Sequence, residues 1–520
     1  MRHFRESILA LIEKTSTNLP ADVRRALAGA LTREEAHASV DGEQRVGQQP
    51  LSPYAAQALA IIVQNVDLAR QKRGPICQDT GLPTFIVRYP FHLNPRSLAC
   101  DFQAAVAEAT QKGLLRPNSV DILTGKNTGT NLGPGTPLLH WEPWEREEIE
   151  VLLLLKGGGG ENQSAQYSLP TDLGPLGLAG RDWEGVRKCL LHAIYQAQGH
   201  GCSPGFLGVC VGSDRAQGYQ LAKKQLFRPV DDVNPVPELA QLEQEVVEQA
   251  NRLGIGPMGF GGQATLLGCK IGVLNRVPAC FFVSVAYNCW ALRRRGVVID
   301  PATGEIRNWL YCSCPPPASR IPHPASSIQP PALRLTTPLS EAAVRQLRVG
   351  DMVLLSGLVH TGRDTLHAYL LTHDSPVDLR GGVIYHCGPV VVREGEQWSV
   401  KAAGPTTSIR EEPYQAALIQ KFGLRAIIGK GGMGIETQRA LQEHGAVYLH
   451  AIGGAAQYYA ERIVAVEGVH FLSEFGVPEA MWHLRVKDFP ALVTMDAHGN
   501  SLHEKVQQVA TQRLESLMGQ

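Results

Sequence analysis

One break in composition decides what this chain can fold into. Residues 312–338, CSCPPPASRIPHPASSIQPPALRLTTP, are dense in proline and serine. Proline fixes φ and removes a backbone donor, so such a stretch can neither continue a helix nor sit inside a sheet. It reads as a tether. The expected organisation is a large domain of residues 1–311, a linker at 312–338 and a smaller domain at 339–520. Ahead of the break, residues 4–30 and the segment PYAAQALAIIVQNVDLARQKR carry apolar side chains at helical spacing. Residues 181–199 and 234–252 read as helices, and IEVLLLL at 149–155 as a buried strand. Beyond it, short β-branched runs (DMVLLSGLV, LRAIIG, AVYLHAIGG, ALVTMDAHG) alternate with helical pieces (PYQAALIQKFG, IETQRALQEHG). That alternation predicts a compact domain with a mixed sheet. The fold class is α/β, mixed α+β overall, and no internal repeat is visible.

The bulk numbers exclude several functions. Lys+Arg and Asp+Glu are both 49 in 520 residues, so the formal net charge is zero. A general nucleic-acid binder would show a basic excess. No run of about 18 apolar residues occurs, so no membrane span is expected. The first twenty residues form an amphipathic pattern rather than a signal peptide. A cytoplasmic setting follows, and there the eleven cysteines point to buried thiols or metal ligands before disulfides. The C-x-C pair Cys312 and Cys314, inside the tether, reads as short-spaced thiols more than as a metal site.

Several short motifs can carry chemistry, each beside a plainer alternative. Cys77 in PICQDTGLP, Cys202 in GHGCSPGFLG and Cys289 in AYNCWALRRR lie in polar, glycine-rich or cationic settings. The Arg triplet after Cys289 would lower its thiol pKa. A cubane cluster is normally held by four thiolates; three would leave one iron open as a Lewis acid. Cys189, Cys210, Cys269, Cys280 and Cys387 lie in apolar runs and read as core residues. GKGGMG, Gly429–Gly434, follows a strand and opens a helix. It suits an anion at the helix N-terminus, aided by Lys430, or a structural turn. A dinucleotide fits less well, because the next strand ends in glycines instead of an acidic residue. GPTTSIR, Gly404–Arg410, joins hydroxyls to a guanidinium able to clamp a carboxylate, or forms a capped turn. Arg363-Asp364 reads as a helix start, and His367 as packed or solvated. KGGGGEN, Lys156–Asn162, is a ligand-lining loop or a connector.

Taken together, PICQDTGLP, LLRPNSVDILTGKNTGTN, KGGGGENQSA, GCSPGFLG, AYNCW, GRDTLH, DLRGGVIYHCGP, AGPTTSIR, IGKGGMG and SEFGVPEAMW resemble the iron–sulfur-dependent class I fumarases and the related tartrate dehydratases. The resemblance covers nearly the whole chain, with two parts that are often separate subunits fused here. It implies a [4Fe-4S] cluster on Cys77, Cys202 and Cys289, and a swivelling β/β/α second domain closing over it. It implies Arg116, Arg363, Arg410 and Lys430 as holders of a small dicarboxylate, Thr406 as base and Asp79 as its acidic neighbour. A homodimer, with no nucleic-acid or membrane partner, and a hydro-lyase activity of the tricarboxylic acid cycle are implied as well. Three departures stand out: Val277 where many relatives carry His, Gly160 where Ser is common, and Ile409 and Glu411 around Arg410. These bear on the choice among fumarate, malate and tartrate. A nicotinamide dehydrogenase using Gly429–Gly434 and a non-enzymatic iron–sulfur sensor are the rival classes.

Overall fold

The computed structural model describes residues 3–40, 54–311 and 332–518. Most of the expected tether, including Cys312 and Cys314, lies outside them. Its last residues do not: Leu333–Thr336 form a strand paired in parallel with Met352–Thr361. The chain divides into two interleaved units, one of residues 1–21, 64–157 and 293–501, the other of 22–63, 158–292 and 502–520.

The first unit holds two sheets. One is five-stranded, in the order Ile306–Leu310, Arg293–Ile299, Ile149–Leu155, Thr84–Pro90, Leu138–Trp144. Only its last pair is parallel. Ile149–Leu155 is buried along almost its whole length, as an uninterrupted apolar run requires. Helix Phe4–Thr17 points Phe4, Ile8, Leu11 and Ile12 at this sheet, the spacing of a single helix face. Helix Pro95–Gln111 joins the same core through Phe102, edge-on to Phe4 and Phe85. Its start is set by Pro95 in the first turn and by the Asn94 side chain, which accepts the Arg96 N–H.

The second sheet has seven strands, ordered Leu333–Thr336, Met352–Thr361, Val383–Tyr385, Ala426–Gly429, Val447–His450, Met481–Met495, Ile463–His470. The long strand Met481–Met495 also pairs with Met352–Thr361, so five of the seven close into a ring. Helices Asp364–Thr372, Glu412–Phe422 and Ile435–His444 supply the parallel connections. Leu366, Leu370, Leu418, Ile419 and Leu441 are the buried face of these helices. The loops after Thr361, Tyr385 and Gly429 lie at the C-terminal ends of parallel strands, where α/β folds place their ligands.

In the second unit a four-stranded sheet runs Ala165–Ser168, Phe282–Asn288, Gly205–Val211, Leu266–Val273. Helices Trp183–Ala197, Pro237–Arg252 and Leu502–Met518 contribute Val186, Leu190, Leu242, Val246, Ala510 and Leu514 to its core. Cys189, Cys210 and Cys269 are buried as expected, and Cys387 is buried in the first unit. Cys280 is not a core residue; it is half-exposed in the turn before Phe282–Asn288. Within Lys156–Asn162, expected as a ligand-lining loop or a connector, Gly158–Asn162 close a short helical turn.

Candidate functional site

Seven of the nine expected site residues fall in the first unit, and the structure ties them into two groups. The first is the turn after Ile76. The Asp79 N–H points at Cys77 Sγ, 3.4 Å away. Arg116, buried, reaches Asp79 Oδ1 at 3.1 Å, Asn118 Oδ1 at 2.6 Å and the Gly388 carbonyl at 3.0 Å. Three bonds on three sides fix its guanidinium. Arg293 binds the same turn from its other face, donating to the carbonyls of Cys77 at 3.3 Å and Asp79 at 2.7 Å. The first arginine of the triplet, read as a tuner of Cys289, thus serves as the anchor of the Cys77–Asp79 backbone.

The second group is built by the ends of parallel strands. Arg363 opens the helix Asp364–Thr372 and pairs with Glu479 at 3.0 Å. Gly388 stands between Arg363 and Arg116: a Cβ there would lie 2.7 Å from Arg363 Nη1, while its carbonyl takes the Arg116 bond. The absence of a side chain lets two like charges approach one peptide. Arg410 pairs with Asp364 at 3.0 Å and donates to Thr406 Oγ1 at 3.2 Å. Both Arg363 and Arg410 keep a buried Nε–H with no hydrogen-bond partner among the described residues. Unfilled buried donors on two guanidiniums suit carboxylate ligands.

Thr406 and Lys430 are neighbours because their loops are zipped together. The Lys430 N–H donates to the Thr406 carbonyl at 3.3 Å and the Ser408 N–H to the Lys430 carbonyl at 3.0 Å. The Thr406 N–H in turn donates to His386 O at 2.7 Å. Below this surface lies a polar network. Ser408 Oγ meets Tyr448 Oη at 2.8 Å and His386 Nδ1 at 2.8 Å. Gln415 sits between His386 and His367 at 2.9 and 3.1 Å, and His367 Nδ1 meets the Arg363 carbonyl at 2.8 Å. Burial holds both imidazoles below their ordinary pKa, and for His386 the neighbouring His367 adds to the effect. Both are therefore neutral, His367 being packed as anticipated. The network connects the backbones that carry Thr406 and Arg363.

The helix end at Gly429–Gly434 corrects an expectation. Its N–H groups do not wait for a ligand anion. Glu412 fills them: its carboxylate accepts from Gly434 N at 2.7 Å, Glu436 N at 3.1 Å, Thr437 N at 3.1 Å and Thr437 Oγ1 at 2.6 Å. Lys430, in the same motif, is buried.

Cys202 and Cys289 belong to the second unit, and there they converge. Cys202 takes a left-handed conformation, φ 53°. The buried Tyr287 ring packs on the backbone either side of it; a Cβ on Gly201 or Gly205 would come within 2.5 Å of that ring or its hydroxyl. The Trp290 N–H donates to the Cys202 carbonyl at 3.4 Å. Both cysteines act electrostatically on Tyr287, whose pKa is raised first by burial and then by Cys289 and Cys202. Cys77, Cys202 and Cys289 are all thiols rather than disulfides. Cys77 accepts the Asp79 N–H on its sulfur and lies within electrostatic reach of Arg116. Cys202 has a backbone bent away from strand geometry. These settings fit cluster ligands. Among the described residues no group of three or more His, Cys, Asp or Glu side chains could hold a single metal ion. A cubane distributes its thiolates one to each iron, so that pattern is not its signature.

Glu479 escaped the sequence reading of the site, while Asp364 and Arg293, read there as a helix start and as part of the triplet beside Cys289, act on partners far away in the chain. Glu411, noted there as a departure beside Arg410, is a buried carboxyl, described below. Val277, the departure from the His of many relatives, is 61% exposed.

Comparison with known proteins places this geometry. A family profile described as Fumarate hydratase (Fumerase) matches residues 5–298, and one described as Fumarase C-terminus matches 308–506. A Geobacillus stearothermophilus protein named "Putative fumarate hydratase class I" is 56% identical over 99% of this chain and 98% of its own length. Two Methanocaldococcus jannaschii proteins match one half each. "Putative L(+)-tartrate dehydratase subunit alpha" is 32% identical over 55% of this chain and 94% of its own. The corresponding subunit beta is 38% identical over 35% of this chain and 96% of its own. With both halves matched in order, the chain belongs to the fumarate hydratase (Fumerase) family.

Proposed function

We propose that the chain is a class I fumarate hydratase, a hydro-lyase interconverting fumarate and (S)-malate with a [4Fe-4S] cluster bound by Cys77, Cys202 and Cys289. The observation that carries this reading is the pair of guanidiniums Arg363 and Arg410, each with a buried Nε–H that has no hydrogen-bond partner among the described residues, Arg410 also donating to Thr406. When bound, the cluster supplies a Lewis-acidic iron that makes hydroxide a feasible leaving group. Arg363, Arg410, Arg116 and Lys430 bind and orient the two carboxylates. They also stabilise the charge that develops on one of them when the neighbouring carbon loses its proton. Thr406 Oγ1 accepts that proton. A Thr hydroxyl is a poor base alone; it first gives its own proton to Asp79, and Arg410, which donates to this oxygen at 3.2 Å, stabilises the alkoxide left behind. Asp79, held by Arg116 and 25% exposed, is the second acid–base group. Positioned proton transfer of this kind contributes about a hundred- to ten-thousandfold.

The test is anaerobic reconstitution with iron and sulfide, followed by an absorbance spectrum and a fumarate-consumption assay on the same sample. Thr406→Ala keeps the cluster spectrum and loses turnover by about a hundredfold or more; undiminished turnover removes Thr406 from the mechanism. Cys202→Ala loses the spectrum; an intact one refutes the ligand set. The match of each half to a tartrate dehydratase subunit supports a second substrate reading, and malate, fumarate and tartrate isomers assayed together separate the two. The reading extends to a cytoplasmic homodimer. Among the described residues no helix is long and apolar enough to cross a membrane.

A further inference from the structure

Glu411 is fully buried, and its carboxylate oxygens have no hydrogen-bond partner among the other described residues, its own backbone amide being the one N–H that acts on them. Burial without hydrogen bonds disfavours the ionised form of such a carboxyl. The charged groups around it come from every side. Arg410, from its own turn, is 3.7 Å away. Arg363 and Asp364, from the helix Asp364–Thr372, and Tyr448, from the strand Val447–His450, act on it electrostatically. The next residue, Glu412, is committed to the helix end described above. Arg410 Nη2 is occupied by Asp364 and Thr406, and Arg363 by Glu479. Two guanidiniums thus already face two carboxylates. A third negative charge would leave the cluster with an excess of anion where a dianion has to bind.

We propose that Glu411 sets the charge of the substrate clamp: as a neutral carboxyl behind Arg410 and Arg363 it leaves both guanidiniums to the dicarboxylate, and its ionisation weakens their grip. This rests on the reading of those two arginines as carboxylate holders. Burial and then Asp364 push the Glu411 carboxyl up to about 8, against the opposing pull of Arg410 and Arg363. At pH 7 it therefore carries its proton. A dianion arriving at the clamp raises that pKa further. Binding then takes up a proton near and above pH 8, and affinity falls as pH rises through that value, approaching about tenfold per unit.

The experiment is titration calorimetry of the reconstituted, oxygen-protected protein with succinate, an unreactive dicarboxylate. It runs from pH 6.5 to 9.5 in two buffers of different ionisation enthalpy. The unsubstituted protein should lose about fivefold in affinity between pH 8 and 9, more steeply above, and take up a proton on binding. Glu411→Gln, permanently neutral, should bind with nearly constant affinity and without that uptake. Asp364→Asn, which removes the repelling charge, should move the alkaline loss to lower pH, and this keeps the test alive if the Gln variant does not fold. An alkaline loss and proton uptake that persist in Glu411→Gln, or a flat profile in the unsubstituted protein, overturn the proposal. Failure of the unsubstituted protein to bind succinate at any pH overturns the clamp reading itself, and this inference with it.

Discussion

Replacing Glu412 with alanine tests whether the Gly429–Gly434 motif is a closed helix end. The side chain accepts three backbone N–H groups and one hydroxyl. Truncation leaves all four without their acceptor, but not at equal cost. Glu436 is exposed and its amide regains water. Thr437 is fully buried and Gly434 half-buried, so these donors stay unmet. At about 1 kcal/mol for each unmet donor, the local cost is about 3 kcal/mol. That agrees with about 2 kcal/mol for a strong N-cap plus up to about 1 for the helix dipole. Hydrogen exchange read by mass spectrometry on the peptide spanning 430–440 is the assay. Opening of Ile435–His444 should become about a hundredfold more frequent. Inorganic phosphate should restore part of the protection in the variant, by occupying the vacated helix end, and should leave the parent unaffected. Exchange within threefold of the parent, or protection by phosphate in the parent, would refute the assignment of this helix end to Glu412.

Other expectations are checked more briefly. Gly388→Ala puts a methyl 2.7 Å from both Arg363 Nη1 and the Pro478 carbonyl; overpacking of that kind costs about 1–3 kcal/mol. It should raise KM more than it lowers the melting temperature, and unchanged KM would detach Gly388 from the substrate site. His470, His483 and His360 form a line of imidazoles with 2.7 Å contacts. Burial, then the neighbouring ring, hold His360 and His483 down to about 4. Unfolded, each takes up a proton below about pH 6.5 while the folded ring does not, so stability is full above that pH and is lost as pH falls toward 4. The loss approaches about 1.4 kcal/mol per pH unit for each ring. His360→Gln should flatten the fall in melting temperature between pH 6.5 and 4.5; an unaltered slope would absolve the trio.

What the sequence made legible follows from range. Helix Phe4–Thr17, strand Ile149–Leu155 and the strand–turn–helix at Gly429 were readable because periodicity and turn residues act within a few positions. The family motifs singled out Thr406, Arg410 and Lys430, and the structure brings their loops together. Glu412 was missed because it caps a helix 22 residues away; nothing local distinguishes it from any other glutamate in a first turn. Asp364 looked like a helix-start carboxylate, yet it also pairs with Arg410. Arg293 was assigned to Cys289 by proximity in the chain, whereas its guanidinium lies on the carbonyls of Cys77 and Asp79, 216 and 214 residues distant. The interleaving of the units was equally hidden, since it depends on contacts that no spacing rule encodes.

That interleaving has a consequence for biosynthesis. Ala510, Leu514 and Leu517 belong to the same hydrophobic core as Val186 and Val246, and Thr511 bonds Tyr195 at 2.7 Å. Domains usually acquire their structure as they leave the ribosome, beginning with the N-terminal one. The unit that carries Cys202 and Cys289 breaks that order, because the helix that completes it is translated after residues 293–501 of the other unit. Until then its apolar interior stays open to chaperones, and a ribosome stalled before residue 502 leaves a nascent product without its closing helix.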